Sequence, residues 1–214
     1  MNAAIQTRPD GRRLRGARTR QAILSHAARV ASAEGLEAVS LQRLASDLGI
    51  SKSGLFAHFG SKEELQLATV EEAARVFTEE VLKPGLSVPV GVGRLYALCA
   101  AHLSYVERRV FPGGCFFEAA VSEFDSRPGP VRDAVVGNMR YWVESLARAT
   151  RAAQAAGEVL PDVDPDQLAW ELSSLVRGAN SSHLMNGDPV AFEHARLAIR
   201  DRLERVRARP LPAA

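Results

Sequence analysis

Apolar residues recur every three to four positions along almost the whole chain, and no convincing strand appears, which predicts an all-α protein. From Arg18 to Glu34, Ile23, Ala27, Val30 and Ala31 fall at helical spacing, and Gly35 sits where a closing glycine would end the helix. Ser40 is a good N-cap for a second helix whose stripe is Leu41, Leu44, Ala45 and Leu48, and Gly49 stops it. Ile50 fills the corner, and Ser51 caps a third, short helix with Leu55 and Phe59 facing inward. Ser61 and Glu64 make a capping box for a fourth helix, from near Lys62 to Val81 or Leu82, where Pro84-Gly85 is expected to break it.

The remainder continues in the same period. Val92 to Arg108 presents Leu95, Leu98, Cys99, His102 and Val106 on one side, and Phe117, Ala120, Val121 and Phe124 make a short amphipathic helix after Pro112-Gly113-Gly114. A long helix from about Val131 to Ala156 turns Val135, Met139, Trp142, Leu146 and Ala149 inward. Asp164 can cap the next helix with Pro165 at its first position. Asn186-Gly187-Asp188-Pro189 is a turn before the last helix, marked by Phe192, Ala195, Ile199, Leu203 and Val206. About nine helices are expected. The second and third, separated by one Gly-centred corner, form a helix-turn-helix unit. Ala45 is small where these helices approach, and Gly49 supplies the positive φ of the tight turn. The expected organisation is a disordered basic arm over 1–16, a helix-turn-helix domain over 17–62, a helical-bundle body over 63–207 and a tail over 208–214.

Charge sharpens this division. Residues 1–60 carry nine Lys/Arg against four Asp/Glu, while 61–214 carry eighteen against twenty-one, so the net +2 is a +5 head on a −3 body. Only Phe56 and Phe59 of the aromatic residues lie in the first sixty. A basic head on a slightly acidic, aromatic body points to nucleic acid at one end. No apolar run is long enough to span a membrane, and the start has no apolar signal segment, so a cytoplasmic location is expected. Cys99 and Cys115 are too few for a disulfide framework and read as structural thiols. The Asn180-Ser181-Ser182 sequon reads as accidental in such a protein.

Residues 18–65 resemble the DNA-binding domain of the tetracycline-repressor-type (TetR) family of bacterial transcription regulators. The resemblance rests on Arg20 to Ala28, Gly35, Ser40, the run Leu44-Ala45-Ser46-Asp47-Leu48-Gly49-Ile50-Ser51, and its continuation from Lys52 through Phe59-Gly60-Ser61-Lys62 to Leu65. The resemblance implies an all-α homodimer on a palindromic operator, with the third helix of each subunit in the major groove. It also implies dimerisation through the last two helices, about 165–207, and a small molecule in the body that shifts the two heads and releases DNA.

The same resemblance assigns roles at the DNA end. Ser40 and Gln42 match phosphate and base contacts, and the Gln42 amide has the geometry to pair with adenine. Ser51, Lys52, Ser53 and Gly54 form the exposed first turn of the recognition helix, with Lys52 a contact to a base edge or a phosphate. His58 and Lys62 match backbone contacts, and Arg43 could add phosphate charge. Phe56 departs from the usual tyrosine, losing a phosphate hydrogen bond of about 1 kcal/mol, and is kept as a van der Waals contact.

In the body, aromatic residues could line a ligand pocket or simply fill the core. The candidates are Phe77, His102, Tyr105, Phe117, Trp142 and Trp170. No nucleophile elbow, His-Glu-x-x-His or phosphate-binding loop is present, so enzyme chemistry is not expected. The five histidines show no paired ligand spacing, so no metal site or cofactor is expected either. A DNA-binding scaffold dimer that senses nothing remains the alternative. An enclosed cavity of several hundred Å³, on the order of known ligand sites, would separate the two.

Overall fold

A computed structural model describes residues 11–124 and 126–208, and it is all-α. In chain order the elements are α1 (Gly11–Glu34), a 3-10 turn (Leu36–Ala38), α2 (Leu41–Leu48), α3 (Lys52–Phe56) and α4 (Lys62–Phe77). A π turn (Thr78–Leu82) leads into α5 (Lys83–Ser87), followed by α6 (Val92–Glu107), α7 (Phe116–Phe124), α8 (Pro130–Ala155), α9 (Pro165–Asn186) and α10 (Ala191–Val206). The π turn joins α4 and α5 into one rod over 62–87, so the described residues form nine helical rods. The extended backbone among them amounts to one isolated bridge, Val159 to Arg207.

Two boundaries differ from the sequence expectation. The helix does not break at Pro84-Gly85. The Lys83 amide donates to the Thr78 carbonyl, five residues back, and this wider turn relieves the clash proline makes with the carbonyl one α-turn earlier. Gly85 serves packing instead: a Cβ there would lie 2.8 Å from the Leu98 Cα, so α5 and α6 meet backbone to backbone. At the other end α1 begins at Gly11 rather than near Arg18, so residues 11–16 are helical and not a disordered arm. The buried half of α1 nucleates a helix that then propagates through good helix formers such as Leu14 and Arg15. The first ten residues of the expected arm, and the tail beyond Ala208, lie outside the described residues.

The head is a small core around Ile23, Ala27, Leu36, Leu44, Leu55 and Phe59, all at most 1% exposed. Burying side chains such as Leu55 and Phe59 contributes about 2–3 kcal/mol each. α1 is long enough to leave this core and pack against α4 and α7, so head and body share one continuous set of buried side chains. Its end also meets the loop before α7. A Cβ on Gly113 would lie 1.7 Å from the Ser32 carbonyl oxygen, and the Gly113 amide donates to Ser32 Oγ at 3.3 Å. Gly113→Ala is therefore expected to lower the urea-unfolding free energy by about 1–3 kcal/mol. Gly93→Ala, in α6 with only Val88 Cγ1 at 3.9 Å, should be neutral or slightly stabilising.

Candidate nucleic-acid interface and body cavity

The helix-turn-helix is built by its caps. Ser40 Oγ accepts from the Arg43 amide at 3.2 Å and Ser51 Oγ from the Gly54 amide at 3.1 Å, which fixes where α2 and α3 begin. Gly49 takes φ 63°, and the next amide, of Ile50, bonds back to the Ala45 carbonyl at 3.1 Å. This double closure turns the chain sharply enough to lay α3 across α2 through Leu55. What remains outward is the first turn of α3. Ser51, Lys52 and Ser53 are exposed, Gly54 is half-buried, and Lys52 Nζ lies 5.9 Å from the centre of the exposed Phe56 ring. Gln42 is exposed on α2, Ser40 is partly covered, and His58 is half-buried beside Phe59.

Two of the expected phosphate contacts are tied to acids within the head. Arg43 bonds through Nε to the Asp47 carboxylate and through both terminal nitrogens to Glu34, each at 2.9–3.1 Å. The two carboxylates raise its pKa through these hydrogen bonds, Asp47 contributing most. Lys62 Nζ lies 2.9 Å from Glu37 Oε2. Among the described residues Lys52 makes no ion pair of this kind, and its charge is directed outward from the first turn of α3.

In the body a cavity of about 750 Å³ opens between α4, α6, α7, α8 and α9. Phe77, Phe117 and Trp142 wall it, Ser173 and Arg177 enter from α9, and residues 137–144 form a long side on α8. His102 stands on this wall, its ring 5.0 Å from both Phe77 and Trp142 in edge-to-face contact. Four of the six expected ligand residues, Phe77, His102, Phe117 and Trp142, thus line one space. Tyr105 and Trp170 do not line this cavity. Tyr105 is fully buried behind the wall, packed on Phe77 and Phe111, and does not reach the cavity. Trp170 is 62% exposed on the outer face of α9, because the inner face is already filled by Leu168, Leu172 and Val176.

Among the cavity residues that sequence reasoning missed are Cys115 and Glu118. The fold brings them to His102, with one ligand-type atom of each within 4.8 Å of the others. Both ring nitrogens of His102, Glu118 Oε1 and Trp142 Nε1 are buried without a hydrogen-bond partner among the described residues. Burial holds the His102 imidazole neutral, with its pKa pushed down to about 3. Burial also raises Glu118 to about 7, against the opposing pull of Asn180 and Arg177. The Cys115 thiol is pushed up to about 12 by the same desolvation. The only sequence signal for this grouping was the i, i+3 spacing of Cys115 and Glu118.

A helix-turn-helix head fused to a cavity-bearing helical body defines a DNA-binding regulator of transcription. A family model for the bacterial regulatory proteins of the tetR family matches residues 23–69, and one for the tetracyclin repressor-like C-terminal domain matches residues 91–199. The chain belongs to the TetR family. That identity points to a regulator rather than an enzyme, and among the described residues no helix is long and apolar enough to cross a membrane.

The transcriptional regulator AcuR of Cereibacter sphaeroides is 27% identical over 139 residues, 64% of this chain and 63% of AcuR. The transcriptional repressor AcnR of Corynebacterium efficiens is 40% identical over 68 residues, 32% of this chain and 36% of AcnR. The chain therefore spans less than two thirds of the length of these relatives. A TetR regulator from Chloroflexus aurantiacus has a TM-score of 0.85 at 26% identity, covering 92% of this chain and all of that one. The same fold is found in AibR in complex with isovaleryl coenzyme A and operator DNA, with TM-score 0.64, 23% identity, and 84% and 95% of the two chains covered. It also occurs in a regulator from Saccharomonospora viridis in complex with choline, with TM-score 0.75, 24% identity, and 90% and 100% covered.

The head and the cavity meet through α7. Its first turn carries Phe117 and Glu118 on the cavity wall, and its last turn carries Glu123. The Glu123 carboxylate accepts from the amides of Leu36 at 2.9 Å and Glu37 at 3.0 Å, capping the 3-10 turn just before α2. Gly35 permits this contact, since a Cβ there would lie 2.0 Å from Glu123 Oε1. Glu123→Ala is expected to speed hydrogen exchange of the Leu36 and Glu37 amides by about 10-fold or more, the loss of a charge-assisted bond. The amides inside α3 should change little. Equal acceleration throughout the head would show that Glu123 supports the whole domain and not this turn.

Proposed function

We propose that the chain represses transcription in the bacterial cytoplasm as a homodimer on a palindromic operator, and that a small, largely apolar effector releases it. The observation that carries this reading is α7, which forms the cavity wall at one end and holds the entrance of the helix-turn-helix at the other. Filling the cavity displaces Phe117 and Glu118, and a rigid helix passes that displacement to the turn at residues 35–37. The cavity has the size expected of a ligand site but is open on the side of Arg140, Tyr141 and Arg177 rather than enclosed, so it is the aromatic inner wall that favours a sensor over a scaffold. The choline and isovaleryl coenzyme A complexes of proteins with this fold support an organic effector.

At the DNA end, the short side chains of Ser51, Ser53 and Gly54 let α3 sink into the major groove, with Lys52 at its leading edge. Gln42 reads a base from α2, while Ser40, His58 and Lys62 hold the backbone and Phe56 packs against sugar or base. Arg43 serves chiefly to stiffen α2 through Glu34 and Asp47. Lys52→Ala is expected to lower the slope of log affinity against log salt by about one unit per bound subunit. Arg43→Ala should lower the slope by clearly less, because its charge is already balanced within the head. Equal slopes for the two variants, measured by fluorescence anisotropy on operator DNA, would reverse these roles.

Dimerisation is assigned to the outer faces of α9 and α10. Trp170 and Met185, 62% and 80% exposed, bracket a stripe of Ser174, Gly178 and Ser181 at helical spacing, and Leu197 is 52% exposed on α10. Small residues flanked by large apolar ones allow two helices to approach closely and interlock. Trp170→Arg together with Leu197→Asp is expected to give a monomer by analytical ultracentrifugation at micromolar concentration. It should also lose operator affinity, since two heads no longer bind as one unit. A double variant that stays dimeric would place the interface elsewhere.

A further inference from the structure

We propose that His102, Cys115 and Glu118 form a three-ligand site for a divalent transition-metal ion of the zinc class, at the inner end of the body cavity. The donor atoms, one imidazole nitrogen, one sulfur and one carboxylate oxygen, lie within 4.8 Å of one another, although His102 comes from α6 and the other two from the start of α7. Metal bonds of about 2.0–2.3 Å need donors only about 1 Å closer than this, a movement that side-chain rotation of Cys115 and Glu118 supplies.

A second, independent observation concerns what these groups lack. His102 is 3% exposed and neither ring nitrogen has a hydrogen-bond partner, and Glu118 Oε1 is equally without one. An imidazole nitrogen, the Cys115 sulfur and Glu118 Oε1 thus lie together with no hydrogen bond joining them. A cation satisfies all three at once. Thiolate and carboxylate together carry two negative charges and the imidazole none, so a divalent ion leaves the buried site neutral, the condition under which charge is tolerated there.

The surroundings are those of a supported ligand set. Asn180 on α9 donates through Nδ2 to Glu118 Oε2 at 2.6 Å and accepts through Oδ1 from the Cys115 amide at 3.3 Å, so one side chain orients two ligands. The backbone amides of Phe117 and Glu118 face the Cys115 sulfur and partly offset the burial that holds it as a thiol until a metal displaces the proton. Phe77 and Trp142 hold the His102 ring on edge. The mixed nitrogen, sulfur and oxygen donors favour zinc-like ions over calcium or magnesium. Three protein ligands leave a fourth position toward the cavity, where water or a donor atom of an effector can bind. The site adjoins the proposed effector cavity but does not depend on effector binding.

The test is titration of the reduced, chelator-treated full-length protein with Co²⁺, followed by Zn²⁺ competition. The expected result is one ion per chain, with a near-ultraviolet thiolate-to-cobalt charge-transfer band and visible bands of tetrahedral intensity, all lost on adding Zn²⁺. Cys115→Ser should abolish the charge-transfer band and Cys99→Ser should keep it. Asn180→Ala should weaken Zn²⁺ binding by roughly 10–100-fold. Should Cys115→Ser not fold, as judged by circular dichroism, Glu118→Gln, which keeps the bond to Asn180, must still lower Zn²⁺ affinity at least about 10-fold. Absence of a thiolate band in the wild-type chain overturns the site. So does a band that survives Cys115→Ser, or quenching of Trp emission by tetramethylammonium in a protein that takes up no Zn²⁺, which would assign the cluster to an organic cation. Operator release by an apolar effector in the presence of chelator is a separate measurement, so the effector reading can stand or fall without the metal.

Discussion

A single carboxylate, that of Glu123, closes the path between the two halves of the molecule by accepting the amides of Leu36 and Glu37. The head alone is a small core with short helices, and nothing within α2 or α3 fixes how that core is tilted relative to the body. Several contacts do so, including Gln66 on α4, which donates to the Leu36 carbonyl and the Glu37 carboxylate, and three others stand out. α1 runs through both halves, the Gly113 loop abuts the Ser32 carbonyl, and Glu123 caps the turn that leads into α2. The first two are steric and leave little room to slide. The third is a charge-assisted pair of bonds of about 1.5–3 kcal/mol each, strong enough to keep the turn seated and weak enough to shift. Since α7 is only nine residues long, roughly 13 Å by its rise, its two ends cannot move independently.

Electrostatics at the head follow from the same economy of contacts. The first sixty residues carry a formal +5, yet Arg43 is balanced by Glu34 and Asp47, and Lys62 by Glu37. These pairs are half exposed, and such pairs contribute little to stability, about 0–1 kcal/mol each. A DNA phosphate can compete for Lys62, which has one acid partner, more readily than for Arg43, which has two. What the pairs supply is position: Arg43 braces α2 against the end of α1, and Lys62 holds the start of α4 to the 3-10 turn that Glu123 also grips. The proposed phosphate contacts and the head–body junction thus use the same few side chains.

Most of the elements were legible because helices announce their ends. Gly49, Gly187 and the Asp164-Pro165 pair sit where caps were expected, with left-handed φ or side-chain acceptors as the physical cause. The errors arise where a residue has two uses. Proline and glycine at 84–85 read as a break, but a π turn accommodates the one and helix packing needs the other. Trp142 and Trp170 look alike in sequence, yet α8 turns its indole into the cavity while α9, already covered on its inner face, presents the second outward. Periodicity shows which residues share a face and not which neighbour that face meets. Cys115 and Glu118 escaped for the same reason, since their relation to His102 exists only once the Gly113-Gly114 loop folds back on the end of α1.

The cavity itself needs a physical account. An apolar-walled space of about 750 Å³ forgoes dispersion contacts, and each buried polar group without a partner costs about 1–3 kcal/mol. Stability alone would have replaced His102 and Glu118 by leucine and methionine. Retaining them makes sense if the groups gain partners in one state of the molecule and not in another, because a ligand shifts an equilibrium only by its difference in affinity for the two states. Glu118 is placed to register that difference, since it lies one turn from the start of α7 while Glu123 lies at the end. Any partner that draws the Glu118 carboxylate inward pulls on the helix that holds residues 35–37. The polar cluster and the head–body junction are thus two ends of one rigid element, and the proposed effector response rests on that geometry.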